Sequence, residues 1–472
     1  MTVAAGHVPA GGTALAPPAA GAPGPVETPR LADGVELLGE YKDSGYSQPP
    51  ALVRRADGQV IQMSALLYLV ACRIDGSRDP AAIAELVSGD LGRSLTADQV
   101  RHLITAKLVP LGIIADQSAP AAPPTATPLL ALRARGTLLP ERATNAAGTL
   151  LRPLFRWYVI VAVVVSVLAV DWWLFAVHGL GGGLGQVLRN PVNLLIVAGL
   201  SVVSGAFHEC GHAAGCRYGG ARPGVIGAGI YLVWPAFFTN VTDSYRLSRA
   251  GRLRTDLGGV YFNAVFMLAL AGIYAATSSE VLLLVIAFTH LEMLEQLLPF
   301  VRFDGYYILS DLVGVPDLFA RVAPILRSVI SRGRRDPRVT GLRRGTRIVV
   351  TGWVACVIPL LTFTLGSMLL HLPGVDRALW RSASLQAHLM AAAAGGHRYA
   401  MAAVYAINIA LLALSVAGSL YIATGLARRL TALGRRWSAG RPARRLLAAG
   451  AGLTALAGLA AFWTLQGQFR GW

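Results

Sequence analysis

His208-Glu209-Cys210-Gly211-His212 sets two imidazoles four residues apart, with a carboxylate beside the first. Residues four apart share one face of a helix, so both rings can bind a single metal ion. Glu209 is then placed to act as general base toward a water activated at that metal, the chemistry of zinc hydrolases. The motif closes the apolar stretch that ends in SGAFHECGHAAG. Three ionisable groups there are costly unless they act, which weighs against two unrelated core histidines and a stray carboxylate. Cys210, two residues from each histidine, points to another face and reads as packing. A catalytic zinc takes three protein ligands plus water, so one ligand has to come from a second apolar segment at the same depth. Asp304 in QLLPFVRFDGYYILSDLVG is the best candidate, with Asp311, Asp317, Glu292 and Glu295 as rivals. His290, Glu292 and Glu295 are either hydrogen-bond partners of the zinc histidines or a polar face toward a water path. Tyr306 and Tyr307 read as interfacial anchors.

The elements that must hold these residues are membrane helices. The chain has 472 residues, with 42 Lys+Arg against 25 Asp+Glu and a net charge of +17, yet only 14% of it is charged and 54% is hydrophobic. Soluble chains carry about 25% charged residues. Together with a mean hydropathy of +0.53, this excludes an ordinary cytosolic enzyme and a basic nucleic-acid binder. Apolar segments near 156–177, 191–214, 257–278, 281–300, 347–370, 400–425 and 446–466 are each long enough to cross ~30 Å of hydrocarbon. About seven spans are therefore expected. The loops 217–254, 327–347 and 428–445 are rich in arginine, and the alternate loops are poor. The positive-inside rule then places the N-terminus in the cytoplasm of a multi-pass protein. The first 30 residues lack the pattern of a signal peptide. The four cysteines show no CxxC pair and read as free thiols.

Ahead of the spans, residues 1–34 are Ala/Pro/Gly-rich and are expected to be disordered. Residues 35–116 predict a small winged-helix-like α+β domain. ALVRRADGQVIQM forms two strands about the turn Ala56-Asp57-Gly58, and Ser64, Asp79 with Pro80, and Thr96 with Gln99 open three helices. Residues 117–150 read as a Pro/Ala linker, and 151–472 as the membrane domain. GVIGAGIYLVWPAFFTNV (224–241) is too broken for a span. It reads as a β-hairpin at the interface or as an amphipathic loop.

These motifs, in this order, resemble the site-2 protease family of intramembrane zinc metallopeptidases. That family pairs HExxH on one span with Asn-x-x-Pro-(x)4-Asp-Gly on a later one. Here Pro299 and Asp304-Gly305 match, and Gln296 stands at the Asn position. A Gly-x-x-x-Asn stretch on the span between is matched by Gly259 to Asn263. The resemblance covers about 191–318. It implies one Zn²⁺ held by His208, His212 and Asp304, with Glu209 as the catalytic base. It further implies a hairpin edge for an extended substrate, and substrate contacts from Asn263 and Gln296. Asn263 reads equally well as a helix-packing amide. Residues 35–116 are similar in element order to PqqD-like domains, which bind leader peptides; a small structural domain of other use fits equally. With FDGYYxLSDLxGxP, the chain looks most like the bacterial peptide-maturation branch, including daptide-type pathways. The expected function is intramembrane cleavage of a membrane-associated peptide or membrane-protein substrate at the bacterial inner membrane, with no nucleic-acid partner. The alternatives are a non-proteolytic export or immunity protein with a vestigial zinc site, and regulated cleavage of a transmembrane signalling protein.

Overall fold

The computed structural model describes residues 28–55, 60–115, 133–183, 186, 193–231, 234–330, 336–439 and 441–465. The expected tail up to residue 27, the turn Ala56-Asp57-Gly58 and the linker stretch 117–132 lie outside the described residues.

In the front domain the expected strands are β2 (Ala51–Arg54) and β3 (Val60–Met63), joined by a further strand, β1 (Glu36–Glu40), in the antiparallel order β1-β2-β3. Three helices follow: α1 (Ala65–Arg73), α2 (Pro80–Leu91) and α3 (Ala97–Leu103). Ser64 and Asp79 accept from backbone N–H groups of the first turn, and Thr96 with Gln99 forms a full capping box. Val53, Ile61, Val70, Ile83, Val87, Val100 and Leu108 make one buried core.

The second half of the expected 117–150 linker is ordered. Residues 133–151 form β4 (Arg133–Leu139) and α4 (Glu141–Leu151). The Pro/Ala bias stops at Pro128, and LRARGTLL beyond it can pair as a strand. β4 joins the hairpin β5 (Ile226–Tyr231) and β6 (Trp234–Thr239) in an antiparallel sheet of order β4-β5-β6. The stretch 224–241 is thus a hairpin, and β6 is an edge strand of its sheet.

The membrane part begins with α5 (Trp157–Asp171), extended by a π-turn to His178, and α6 (Asn193–Tyr218). After the hairpin come α7 (Arg249–Asp256), α8 (Gly258–Thr277), α9 (Glu280–Leu297) and α10 (Asp304–Val313). Then follow α11 (Phe319–Ile330), α12 (Pro337–Thr340), α13 (Arg344–Gly395), α14 (Tyr399–Trp437) and α15 (Pro442–Leu465). Among the described residues six helical stretches are long and apolar enough to cross a membrane: 157–178, 193–218, 258–277, 344–367, 399–421 and 442–465. Their outer faces expose Trp157, Leu168, Phe363 and Leu453, side chains that water would penalise and lipid would not. The expected segment at 281–300 is α9, which carries Glu280, Glu292 and Glu295 and is not one of the six. Residues 371–395, expected as a connection, continue α13 through Pro373 and Gly374, and the Ala, Leu, Arg and Gln beyond them favour helix.

Two features of the packing position the site. α6 crosses α8 where Gly211 faces Gly258, and a Cβ on either would run into the other's carbonyl oxygen. The approach brings the motif face of α6 against the N-terminal end of α8. Tyr306 and Tyr307, expected at the interface, are instead buried between α10, α11 and α13. Tyr306 donates its hydroxyl proton to Asp317 and accepts from the Leu318 N–H, which holds it in the core, and the Tyr307 ring packs edge-on against it.

Candidate metal centre

His208, Glu209 and His212 lie near the C-terminal end of α6, and Asp304 is the first residue of α10. All four are at most 3% exposed. The His208 and His212 Nε2 atoms are 3.1 Å apart. Asp304 Oδ2 lies 3.0 Å from His208 Nε2 and 3.4 Å from His212 Nε2. A tetrahedral zinc with bonds of roughly 2.0–2.2 Å separates its ligand atoms by about 3.3–3.5 Å. The observed triangle is close to that size.

The proton inventory favours a cation at its centre. His212 Nδ1 lies 2.8 Å from the Thr255 carbonyl oxygen, which can only accept. Nδ1 therefore donates, and in the neutral ring Nε2 presents its lone pair to the triangle. Asp304 Oδ2 is buried among these atoms yet makes no hydrogen bond of acceptable geometry. Three electron-pair donors so converged repel one another unless a cation or added protons lie between them. The donor set of two imidazoles and a carboxylate suits zinc. Among the described residues, this is the one group of three or more potential ligands that converges tightly enough for a metal.

The surroundings fix each member. Thr239, at the end of β6, donates its hydroxyl to Glu209 Oε2 at 2.7 Å, and the same hydroxyl lies 2.9 Å from the Glu209 carbonyl oxygen. Gly259 leaves the space the imidazoles need; a Cβ there would lie 2.6 Å from His212 Nε2 and closer still to the His208 ring. Gly259→Ala should therefore cut zinc affinity by about 10–100-fold, the range for disturbed ligand support, with helical circular dichroism unchanged. Equilibrium competition with a chromophoric chelator checks this; wild-type affinity in a folded Gly259→Ala protein would contradict it.

Asn263, one turn beyond Gly259, donates from Nδ2 to Gln296 Oε1 at 3.3 Å, so the two residues matched by resemblance touch. The Asn263 side-chain amide oxygen, Oδ1, is buried without a hydrogen bond. The rival ligands go elsewhere. Asp311 binds Arg252 and Tyr41, and Asp317 binds Arg302 and Tyr306. Glu292 hydrogen-bonds Ser201, and Glu295 is exposed. His290 lies 3.1 Å from Asp171 and 2.9 Å from the Ile286 carbonyl oxygen rather than beside His208 or His212. Cys210 packs with Phe155, Ala214 and Phe262, as its face on the helix implied. Beside Asp311, burial and the Asp311 charge hold the Asp256 carboxyl well above the usual carboxylate range.

Sequence reasoning missed Thr239, the Thr255 carbonyl and the steric role of Gly259. Only Gly259 left a signal, its place one helical turn before Asn263.

No protein-family model and no solved structure matches the chain. Over 132 residues it is 28% identical to the "Putative peptide zinc metalloprotease protein YydH" of Bacillus subtilis (strain 168), covering 28% of this chain and 52% of that protein. The chain thus spans about half the length of the curated relative it matches. The likeness points, at family level, to a zinc metalloprotease.

Proposed function

We propose that the protein is an integral-membrane zinc metalloendopeptidase of the site-2 type. It cleaves a membrane-associated peptide or precursor in the maturation of a ribosomally synthesised modified peptide. The observation that carries this reading is the buried convergence of His208 Nε2, His212 Nε2 and Asp304 Oδ2 beside the Glu209 carboxylate. A structural zinc site has no use for that carboxylate, whereas peptide hydrolysis needs it.

His208, His212 and Asp304 would hold the ion, which when bound supplies Lewis acidity toward a carbonyl oxygen and acidifies water. Glu209 accepts the proton of the attacking water and returns it to the leaving amine. Thr239 keeps the Glu209 carboxylate aimed through its bond to Oε2. The Thr255 carbonyl fixes the His212 tautomer. The edge of β6, which ends at Thr239, offers backbone groups to an extended substrate strand, and the amides of Asn263 and Gln296 offer further contacts. The Arg-rich loops and the N-terminal domain lie on the cytoplasmic side of the bacterial inner membrane, where residues 35–116 hold the leader of the substrate.

The test uses the full chain in lipid nanodiscs. One zinc per chain and cleavage of peptides encoded beside the gene are expected. Removing the metal with 1,10-phenanthroline should abolish cleavage, and added zinc should restore it. Undiminished cleavage by metal-free protein would overturn the proposal.

A further inference from the structure

Residues 41–47, in the loop 41–50 between β1 and β2, leave the N-terminal domain and lie against the helices of the metal centre. Tyr41 donates its hydroxyl proton to Asp311 Oδ1 at 2.8 Å, and Arg252 Nε donates to the same oxygen at 2.9 Å. The Arg252 guanidinium also donates to the carbonyl oxygens of Leu247 and Lys42, and stacks 4.4 Å over the Tyr41 ring. Arg252 and Tyr41 are fully buried, and Asp311 is 7% exposed. Breaking such a pair by removing one partner strands the other charge in the interior. Backbone bonds extend the junction, from the Gly45 N–H to the Gly314 carbonyl and from the Arg343 N–H to the Gly45 carbonyl. A Cβ on Gly45 would lie 2.7 Å from Thr346 Cγ2, so the loop and the core fit without slack.

This junction reaches two sides of the metal centre. Arg252 lies three residues before Thr255 on α7, and the Thr255 carbonyl orients His212. Asp311 lies seven residues after Asp304 on α10, two turns along the same face. The first turn of α10 packs at Gly305 against the Leu297 carbonyl, and the last turn is tied through Asp311. One guanidinium therefore ties the helix that orients a histidine to the helix that carries Asp304, and Tyr41 closes the tie from the N-terminal domain.

We propose that Tyr41, Arg252 and Asp311 are positioning residues of the metal centre, through which the N-terminal domain sets the placement of Asp304 against the two histidines. The inference rests on the reading of His208, His212 and Asp304 as metal ligands.

Its test uses full-length protein in nanodiscs with two readouts: zinc affinity by chelator competition, and the visible absorption spectrum of the cobalt-loaded protein, which reports coordination geometry. Tyr41→Phe keeps the ring on Arg252 and removes only the hydroxyl. Asp311→Asn neutralises the acceptor. Both should lower zinc affinity, by about 10–100-fold for Asp311→Asn and less for Tyr41→Phe, and both should change the cobalt spectrum. Val87→Ala, in the core of the N-terminal domain, should lower thermal stability and leave that spectrum unchanged. Should Asp311→Asn fail to fold, Tyr41→Phe decides alone. Wild-type affinity and spectrum in folded Tyr41→Phe and Asp311→Asn would overturn the inference. If His208→Ala bound zinc as wild type does, the ligand reading itself would fall, and the two failures are thus distinguishable.

Discussion

Glu209→Gln is expected to keep one zinc per chain and to lose peptide cleavage by about 10²–10⁴-fold, the usual contribution of a general acid–base group. The exchange is close to isosteric. A glutamine carbonyl oxygen can still accept from Thr239 Oγ1, now 2.7 Å from Glu209 Oε2, so the side chain can keep its place. The ligand atoms on His208, His212 and Asp304 are untouched. What is lost is a group able to take a proton from water and pass it on. Metal content and single-turnover cleavage, measured on the same sample, separate binding from chemistry. Cleavage within about tenfold of wild type would remove Glu209 from the proposed mechanism.

Asp304→Ala is expected to lose metal and cleavage together. Structural zinc sites bind with roughly 10–16 kcal/mol over four ligands, so one ligand is worth about 3 kcal/mol, or ~10²–10³ in affinity. The loss is compounded because Asp304 supplies the only carboxylate of the triad and faces both imidazoles, at 3.0 and 3.4 Å. Without it two neutral rings remain, 3.1 Å apart. Zinc binding by folded Asp304→Ala with wild-type affinity would place the third ligand elsewhere.

What was legible in the sequence follows from periodicity and from local chemistry. The four-residue spacing of the histidines needed only a helix, and α6 supplies it. The helix starts at Ser64, Asp79 and Thr96 were legible because a cap is a bond between neighbours. Asp304 was found by matching depth across two segments, and the structure brings it to the histidines. What was missed depends on partners far apart in the chain. Arg252 meets Asp311 across 59 residues, and Tyr41 meets it across 270. Nothing in either neighbourhood announces the other. Tyr306 and Tyr307 misled because a tyrosine suits a membrane interface and a satisfied core equally well, and the groups that bind Tyr306, Asp317 and the Leu318 N–H, lie beyond the turn that follows α10. The strand β4 was hidden by the Pro/Ala run before it and by a partner, β5, about ninety residues on.

That pairing carries a consequence of parity. β4 and β5 are hydrogen-bonded neighbours, so in a protein that spans a bilayer they share one level of it. The chain between them holds α5 and α6, both long and apolar enough to cross, and two crossings would bring it home. The same count applies between Arg252 and Asp311, which touch, and between which lie only α8 and α9 as long helices. If both residues lie on one side of a membrane, the crossings between them are even in number. If α8 traverses the bilayer, α9 must carry the chain back, whatever its carboxylates cost. At the far end His178, closing the first apolar helix, lies 3.1 Å from Glu280, which opens α9. Glu292 and Glu295 would then ride on that return leg.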